Sequence, residues 1–129
     1  MERAEKALNF KHNGNNCCQA VLLAYEDLLP FDRNTLLAMG STFGSGMGGV
    51  KGTCGALVGA EMALGLLGYR GGSMNRYSRE LFGRFEERVG ATICADIKGF
   101  VTGRTLCSCE NCCKHAVEAL EEMTQGTQK

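Results

Sequence analysis

The chemistry in this sequence is carried by sulfur. Eight cysteines occupy positions 17, 18, 54, 94, 107, 109, 112 and 113 of a 129-residue chain. Position says more than number. Cys17 follows Asn16, Cys54 follows Thr53, Cys94 lies two residues after Thr92, and Cys112 and Cys113 follow Asn111. Each of those polar residues is an N-cap candidate, so four helices each place a cysteine in their first turn. There the unpaired backbone N–H groups and the positive end of the helix dipole favour thiolate over thiol. Thiolate is the form that attacks disulfides and binds metal. The competing account is cysteine as a small buried hydrophobe, and it suits Cys18, which shares a face with Val21, Leu22 and Tyr25. One cysteine at a helix start carries little weight; four point to a converged thiol site.

A second cysteine feature is Cys107-Ser-Cys109-Glu-Asn-Cys112-Cys113. Its Cys109-x-x-Cys112 spacing suits a metal knuckle or a redox pair. No second C-x-x-C completes a zinc ribbon, so an accessory thiol cluster is the better account. His12 and His115 stand apart from the cysteines and read as surface residues. Gly44-Ser-Gly-Met-Gly-Gly49 matches G-x-G-x-x-G in form only. A dinucleotide loop needs a strand before it, and Thr35 to Phe43 reads as helical. No Ser-His-Asp set, carboxylate pair or phosphate loop stands out.

These thiols need helices to position them. Val21, Leu22, Tyr25, Leu28 and Leu29 follow one helical face ending at Pro30, and Asp32 caps a second segment through Leu36, Leu37 and Met39. A loop with five glycines, expected to be flexible, spans 44–52. Thr53 is expected to cap a third helix running to about Gly68, followed by a turn at Gly71-Gly72. Ser73 starts the next, with Met74, Tyr77, Leu81, Phe82, Phe85 and Val89 on one face and Gly90 at its end. A short turn after Thr92 stops near Gly99, and the last helix runs from about Asn111 to Met123. In the third helix Gly55, Gly59 and Ala63 lie four apart, as do Gly52, Ala56 and Ala60. Glycine inside a helix costs about 0.5–1 kcal/mol relative to alanine, so something bulky, a partner helix or a cofactor, must come close. The expectation is an all-α, single-domain bundle of about five to six helices spanning 1–129. Its central helix is Gly/Ala-rich, and its tail is frayed from about residue 125.

Composition narrows the function. Eighteen glycines are near twice the ordinary share, and eight cysteines fall below the roughly 8–10% of a disulfide-built secreted domain. A chain of this length can bury a core without staples. Fourteen basic residues balance fourteen acidic ones, which gives nucleic acid and anionic membrane nothing to attract. The charged N-terminus opens no signal-peptide core, and the apolar stretch Thr53 to Tyr69 is short and carries Glu61. A cytoplasmic protein is expected, in which cysteines serve as metal ligands or redox groups.

Asn16-Cys17-Cys18-Gln19-Ala20-Val21, Cys54-Gly55-Ala56-Leu57-Val58-Gly59-Ala60, Cys94 and Cys113 together resemble the C_GCAxxG_C_C family of redox-active proteins. Members are short prokaryotic proteins with four characteristic cysteines. The resemblance implies that Cys17, Cys54, Cys94 and Cys113 form the site, with Gly52, Gly55 and Gly59 shaping it. Cys113 is preferred to Cys112 because Cys-x-x-x-Val, ending at Val117, fits the family pattern; Cys18, Cys107, Cys109 and Cys112 depart from it. The resemblance also implies redox activity and an association with transporter systems. The leading expectation is thiol–disulfide cycling, as in a thiol–disulfide oxidoreductase, a reading that requires no cofactor. Cys54 would be the attacking thiolate, left accessible by its small neighbours, and Cys17 or Cys94 the resolving thiol. A redox partner protein or a small thiol would be the partner, and a homodimer is the default assembly. The alternative is an electron carrier or sensor holding an iron–sulfur cluster, or another metal, on the same four cysteines.

Overall fold

The computed structural model describes residues 2–100 and 102–124; the expected fraying from about residue 125 lies outside them. Within the described residues the chain is all-α, as its periodicity predicts. Seven helices follow one another: α1 (Arg3–His12), α2 (Cys17–Ala24), α3 (Arg33–Gly40), α4 (Gly55–Gly68), α5 (Asn75–Val89), α6 (Cys94–Lys98) and α7 (Cys109–Thr124). No strand occurs among the described residues; one isolated antiparallel bridge joins Thr53 and Ile93. The count exceeds the expected five to six by α1. Its buried face is only Ala4 and Ala7, too slight a pattern to stand out from a charged N-terminus.

Local chemistry sets the helix starts. Asn16 caps α2 in a full capping box, its side chain accepting from the Gln19 N–H while the Gln19 side chain accepts from the Asn16 N–H. Asp32 caps α3 by accepting from the Thr35 N–H. Four expected caps shift, the first at α6, where Ile93 rather than Thr92 is the N-cap. Cys54 itself, not Thr53, is the N-cap of α4. Ser108, not Asn111, starts α7: its carbonyl accepts from the Cys112 N–H and its hydroxyl accepts from the Asn111 N–H. Met74 precedes α5, with the Ser73 hydroxyl still accepting from the Asn75 N–H.

The core gathers around α2, where seven of eight residues are buried. It packs against α1, α3, α4 and α7. The small-residue stripe on α4 meets this partner helix. A Cβ on Gly55 would lie 2.7 Å from the Phe43 carbonyl oxygen, and one on Gly59 would lie 2.8 Å from the Cys18 carbonyl oxygen. On α5 the buried face is narrower than the periodicity suggests: Leu81, Phe85 and Val89 are covered, while Tyr77 and Phe82 are exposed. Arg84 and Arg88 of α5 pair with Glu118 and Glu122 of α7 at the surface.

The glycine-rich segment before α4 is ordered rather than free. Gly44–Met47 forms a single turn in which Ser45, Gly46 and Met47 all have positive φ. Hydrogen bonds from the Gly48, Val50 and Gly52 N–H groups to the Gly44, Ser45 and Gly46 carbonyls hold it.

Replacing Gly59 by alanine is expected to destabilise the fold by about 1–3 kcal/mol through overpacking on the α2 backbone. The Cβ of Gly65→Ala on the same helix meets nothing within 4 Å, so that variant should gain about 0.5–1 kcal/mol. Urea unfolding of both variants measures the contrast.

Candidate functional site

Two backbone hydrogen bonds build the centre of the site. The Cys54 N–H donates to the Thr92 carbonyl at 2.7 Å, and the Cys94 N–H donates to the Gly52 carbonyl at 3.0 Å. The Ala95 N–H adds a third bond to the Val50 carbonyl. They lock the residues preceding α4 and α6 side by side, so Cys54 and Cys94 start neighbouring helices. The left-handed turn closes over them. A Cβ on Gly46 would lie 2.5 Å from the Cys94 Cβ, and one on Gly44 would lie 2.7 Å from the Asn16 Cβ. The loop glycines therefore serve Cys94 and the α2 cap as well as the approach to Cys54, while Gly48 and Gly49 face open space.

The result is one small cavity walled by sulfur. Cys17, Cys54, Cys94, Cys107, Cys109 and Cys112 line it, with Ser45, Gly46, Gly55, Ile97 and Lys98. Three of the four expected site cysteines are here. The fourth, Cys113, lies outside the lining, fully buried, its thiol directed at the Cys17 carbonyl at 3.8 Å. At the second doublet the cavity sulfur is Cys112. At the first it is Cys17, while the Cys18 thiol sits 3.9 Å from the Met62 sulfur. Of the expected glycines, Gly55 lines the cavity, Gly52 holds the Cys94 N–H, and Gly59 packs on α2. Sequence reasoning passed over Lys98, a cation on a short helix with no motif around it.

The six lining thiols are not equivalent. Cys54 alone among them is pushed down, to about 7. The Cys112 thiol hydrogen-bonds to it, burial opposes, and the Ala56 and Leu57 N–H groups at the start of α4 add further donors. Cys112 moves the opposite way, raised first by that same hydrogen bond and then by burial. The shared proton therefore stays on Cys112. Cys109 is raised by its hydrogen bond with Cys17 and by burial, and Cys94 and Cys107 are raised mainly by burial. For Cys17, contact with Cys109 lowers the value, but pairing with Cys113 and burial outweigh it. Burial works against the Lys98 ammonium, yet Cys109 and Cys94 beside it hold its pKa up.

Accessibility differs from the expectation. Cys54 is 5% exposed, and the space beside its neighbour Gly55 is taken by the Phe43 carbonyl rather than left open. Cys17, Cys94 and Cys112 are also buried; only Cys107 and Cys109 are half-open. The cavity has about 20 Å³ of free space, room for roughly one water molecule. An iron–sulfur core of several irons and sulfides does not fit among these sulfurs as they stand. Among the described residues, no group of three or more His, Cys, Asp or Glu side chains is arranged to hold a metal ion.

Fold and site together define a helical protein built around a buried thiol cluster. The chain belongs to the family described as putative redox-active protein (C_GCAxxG_C_C), which matches residues 15–123. No curated protein and no solved structure matches it. No helix among the described residues is long and apolar enough to cross a membrane.

Because the folded-state value of Cys54 is lowered, its thiolate should appear as pH rises through about 7. The thiolate ultraviolet absorbance of the wild type minus that of Cys54→Ser should titrate with that midpoint. Cys112→Ala, which removes the donor, should move the midpoint upward.

Proposed function

We propose that the chain is a thiol–disulfide redox protein whose working pair is Cys54 and Cys112. One arrangement carries this reading: Cys54, the N-cap of α4, and Cys112 line the same small cavity, and the influence of each sulfur on the other favours thiolate at Cys54 and thiol at Cys112. That is the pairing of nucleophile and proton-bearing partner that disulfide formation requires. Cys112 takes the resolving role expected of Cys17 or Cys94, since it is the largest influence on the Cys54 thiol while Cys17 and Cys94 respond to the Cys54 charge only as a minor cause. In each cycle an external disulfide R–S–S–R accepts two electrons and two protons and leaves as two R–SH. The Cys54 and Cys112 thiols become a Cys54–Cys112 disulfide, and an external dithiol restores them by the reverse exchange. The activity is that of a thiol–disulfide oxidoreductase acting on a small thiol or a redox partner protein. The location that suits it is a reducing cytoplasm, where thiols of this kind stay free.

Cys17, Cys94 and Cys109 tune this pair rather than form it. Each additional thiolate in the cavity would stand against the Cys54 charge, so the neighbours remain thiols while Lys98 offsets the field. The cluster alternative draws no support from the cavity, which would need its sulfurs displaced before a cluster could enter.

Mild oxidation followed by peptide mapping tests the reading. A Cys54–Cys112 linked peptide is expected, together with loss of two alkylatable thiols. Cys54→Ser should abolish that link, and a link between other cysteines in the wild type overturns the assignment. Anaerobic purification yielding stoichiometric iron and acid-labile sulfide would replace this reading with the cluster.

A further inference from the structure

Helix α4 carries a single charged residue, Glu61, in a sequence otherwise made of apolar and small residues. Glu61 does not stand on a solvated face of the helix. Leu57, Val58, Leu64 and Gly65 are its neighbours three and four residues away, and all four line the same hollow as its half-buried side chain. A charge placed inside an apolar row breaks the pattern that packing alone would set. The other wall belongs to α5 and the residue before it, where Met74, Ser78 and Phe82 recur every four residues. The hollow measures about 450 Å³, within the roughly 300–1,000 Å³ of small-molecule sites. A second hollow of about 770 Å³ adjoins it, and Glu61, Met62, Gly65 and Met74 line both. The carboxyl group thus stands where the two meet, and it is the only charged side chain in either lining.

We propose that this groove between α4 and α5 binds a small amphipathic cation, a single ammonium on an apolar body, with Glu61 as its counter-ion. Charge complementarity decides the class. No Lys, Arg or His pairs with Glu61 among the described residues. Burial holds its carboxyl group above the usual range, opposed by Ser78 and by no neighbouring cation. A carboxylate in apolar surroundings is unfavourable alone and gains most from a positive charge that brings its own apolar surface. An anion would be repelled, and a neutral molecule would leave the carboxylate uncompensated.

The walls suit such a guest. Met62 and Met74 supply unbranched thioether side chains that adapt to an irregular apolar body. Gly65 leaves room one turn along from Glu61, since a Cβ there meets nothing within 4 Å. The groove is separate from the thiol cavity. No residue lines both, and Thr53 and Cys54, adjacent in the chain, fall on different sides of the start of α4.

Octylammonium, octanol and octanoate are the probes, titrated into the isotope-labelled full chain under reducing conditions. The amide signals of Gly65 and Ser78 report location and affinity by nuclear magnetic resonance. Octylammonium is expected to shift both signals and to bind about tenfold tighter than octanol, the worth of one charge-assisted contact. Octanoate should bind most weakly. Glu61→Gln, which keeps the length of the side chain, should bring octylammonium down to the level of octanol. Gly65→Leu, which fills the open space beside Glu61, should weaken both. The site is overturned if no probe moves these signals, or if octanol binds the wild type as tightly as octylammonium. It is equally overturned if Glu61→Gln keeps the preference for the cation or Gly65→Leu binds unchanged. The thiols take no part in this test, so its failure leaves the redox pair standing, and failure of the pair leaves the groove.

Discussion

The structure depends on how closely α4 can approach α2. Gly59 rests on the Cys18 carbonyl and Gly55 on the Cys18 N–H and the Cys17 Cβ, with space for no side chain at either position. This contact sets the starts of the two helices side by side, and their first residues are where Cys17 and Cys54 stand. A helix held apart by an ordinary side chain would move those cysteines away from each other. The internal glycines of α4 cost helix stability, and the energy returns as burial on α2. Further placement follows from that fixed start: the Cys54 and Cys94 N–H groups can pair across to Thr92 and Gly52 only because α4 begins where it does.

Crowding thiols at helix starts would by itself lower every one of them. The outcome is selective because burial and like charge oppose the dipole at each sulfur. Cys54 combines the N-cap position, two backbone donors and a thiol donor, and it falls. Its neighbours have fewer donors or stand against its charge, and they rise. Lys98 supplies the compensating cation from the one helix that reaches the cavity with a basic residue in its last turn.

The sequence made the fold class, most helices and the glycine-dependent packing legible, because apolar period and small-residue stripes report burial directly. The α1 helix escaped because two alanines bury without leaving a strong pattern. Helix starts were legible to within two or three residues, which decided chemistry at two places. With Thr53 read as the cap, Cys54 looked like a first-turn residue, whereas it is the cap itself. With Asn111 read as the cap, Cys112 and Cys113 looked like the first-turn pair, whereas Cys109 holds that place and Cys112 lies a turn further in. A shift of that size rotates a helical residue far around the axis, and it separates a cavity-facing sulfur from a core one. The place of Lys98 on the cavity wall depends on how α6 is held against the rest of the fold, which spacing in one sequence does not encode.

The four-cysteine pattern of the family and the sulfur lining of the cavity overlap without coinciding. Cys113, which the resemblance assigns to the pattern, packs behind Cys17, where its thiol meets the Cys17 carbonyl at 3.8 Å. Conversely Cys107, Cys109 and Cys112 stand outside the pattern and line the cavity. A cavity floor built from the pattern residues Cys17, Cys54 and Cys94 is closed to bulk solvent. Its traffic with the outside therefore depends on the rim. In this chain the rim is supplied by α7 and the segment before it, where Cys107 and Cys109 are the half-open sulfurs of the lining and the buried ones lie behind them.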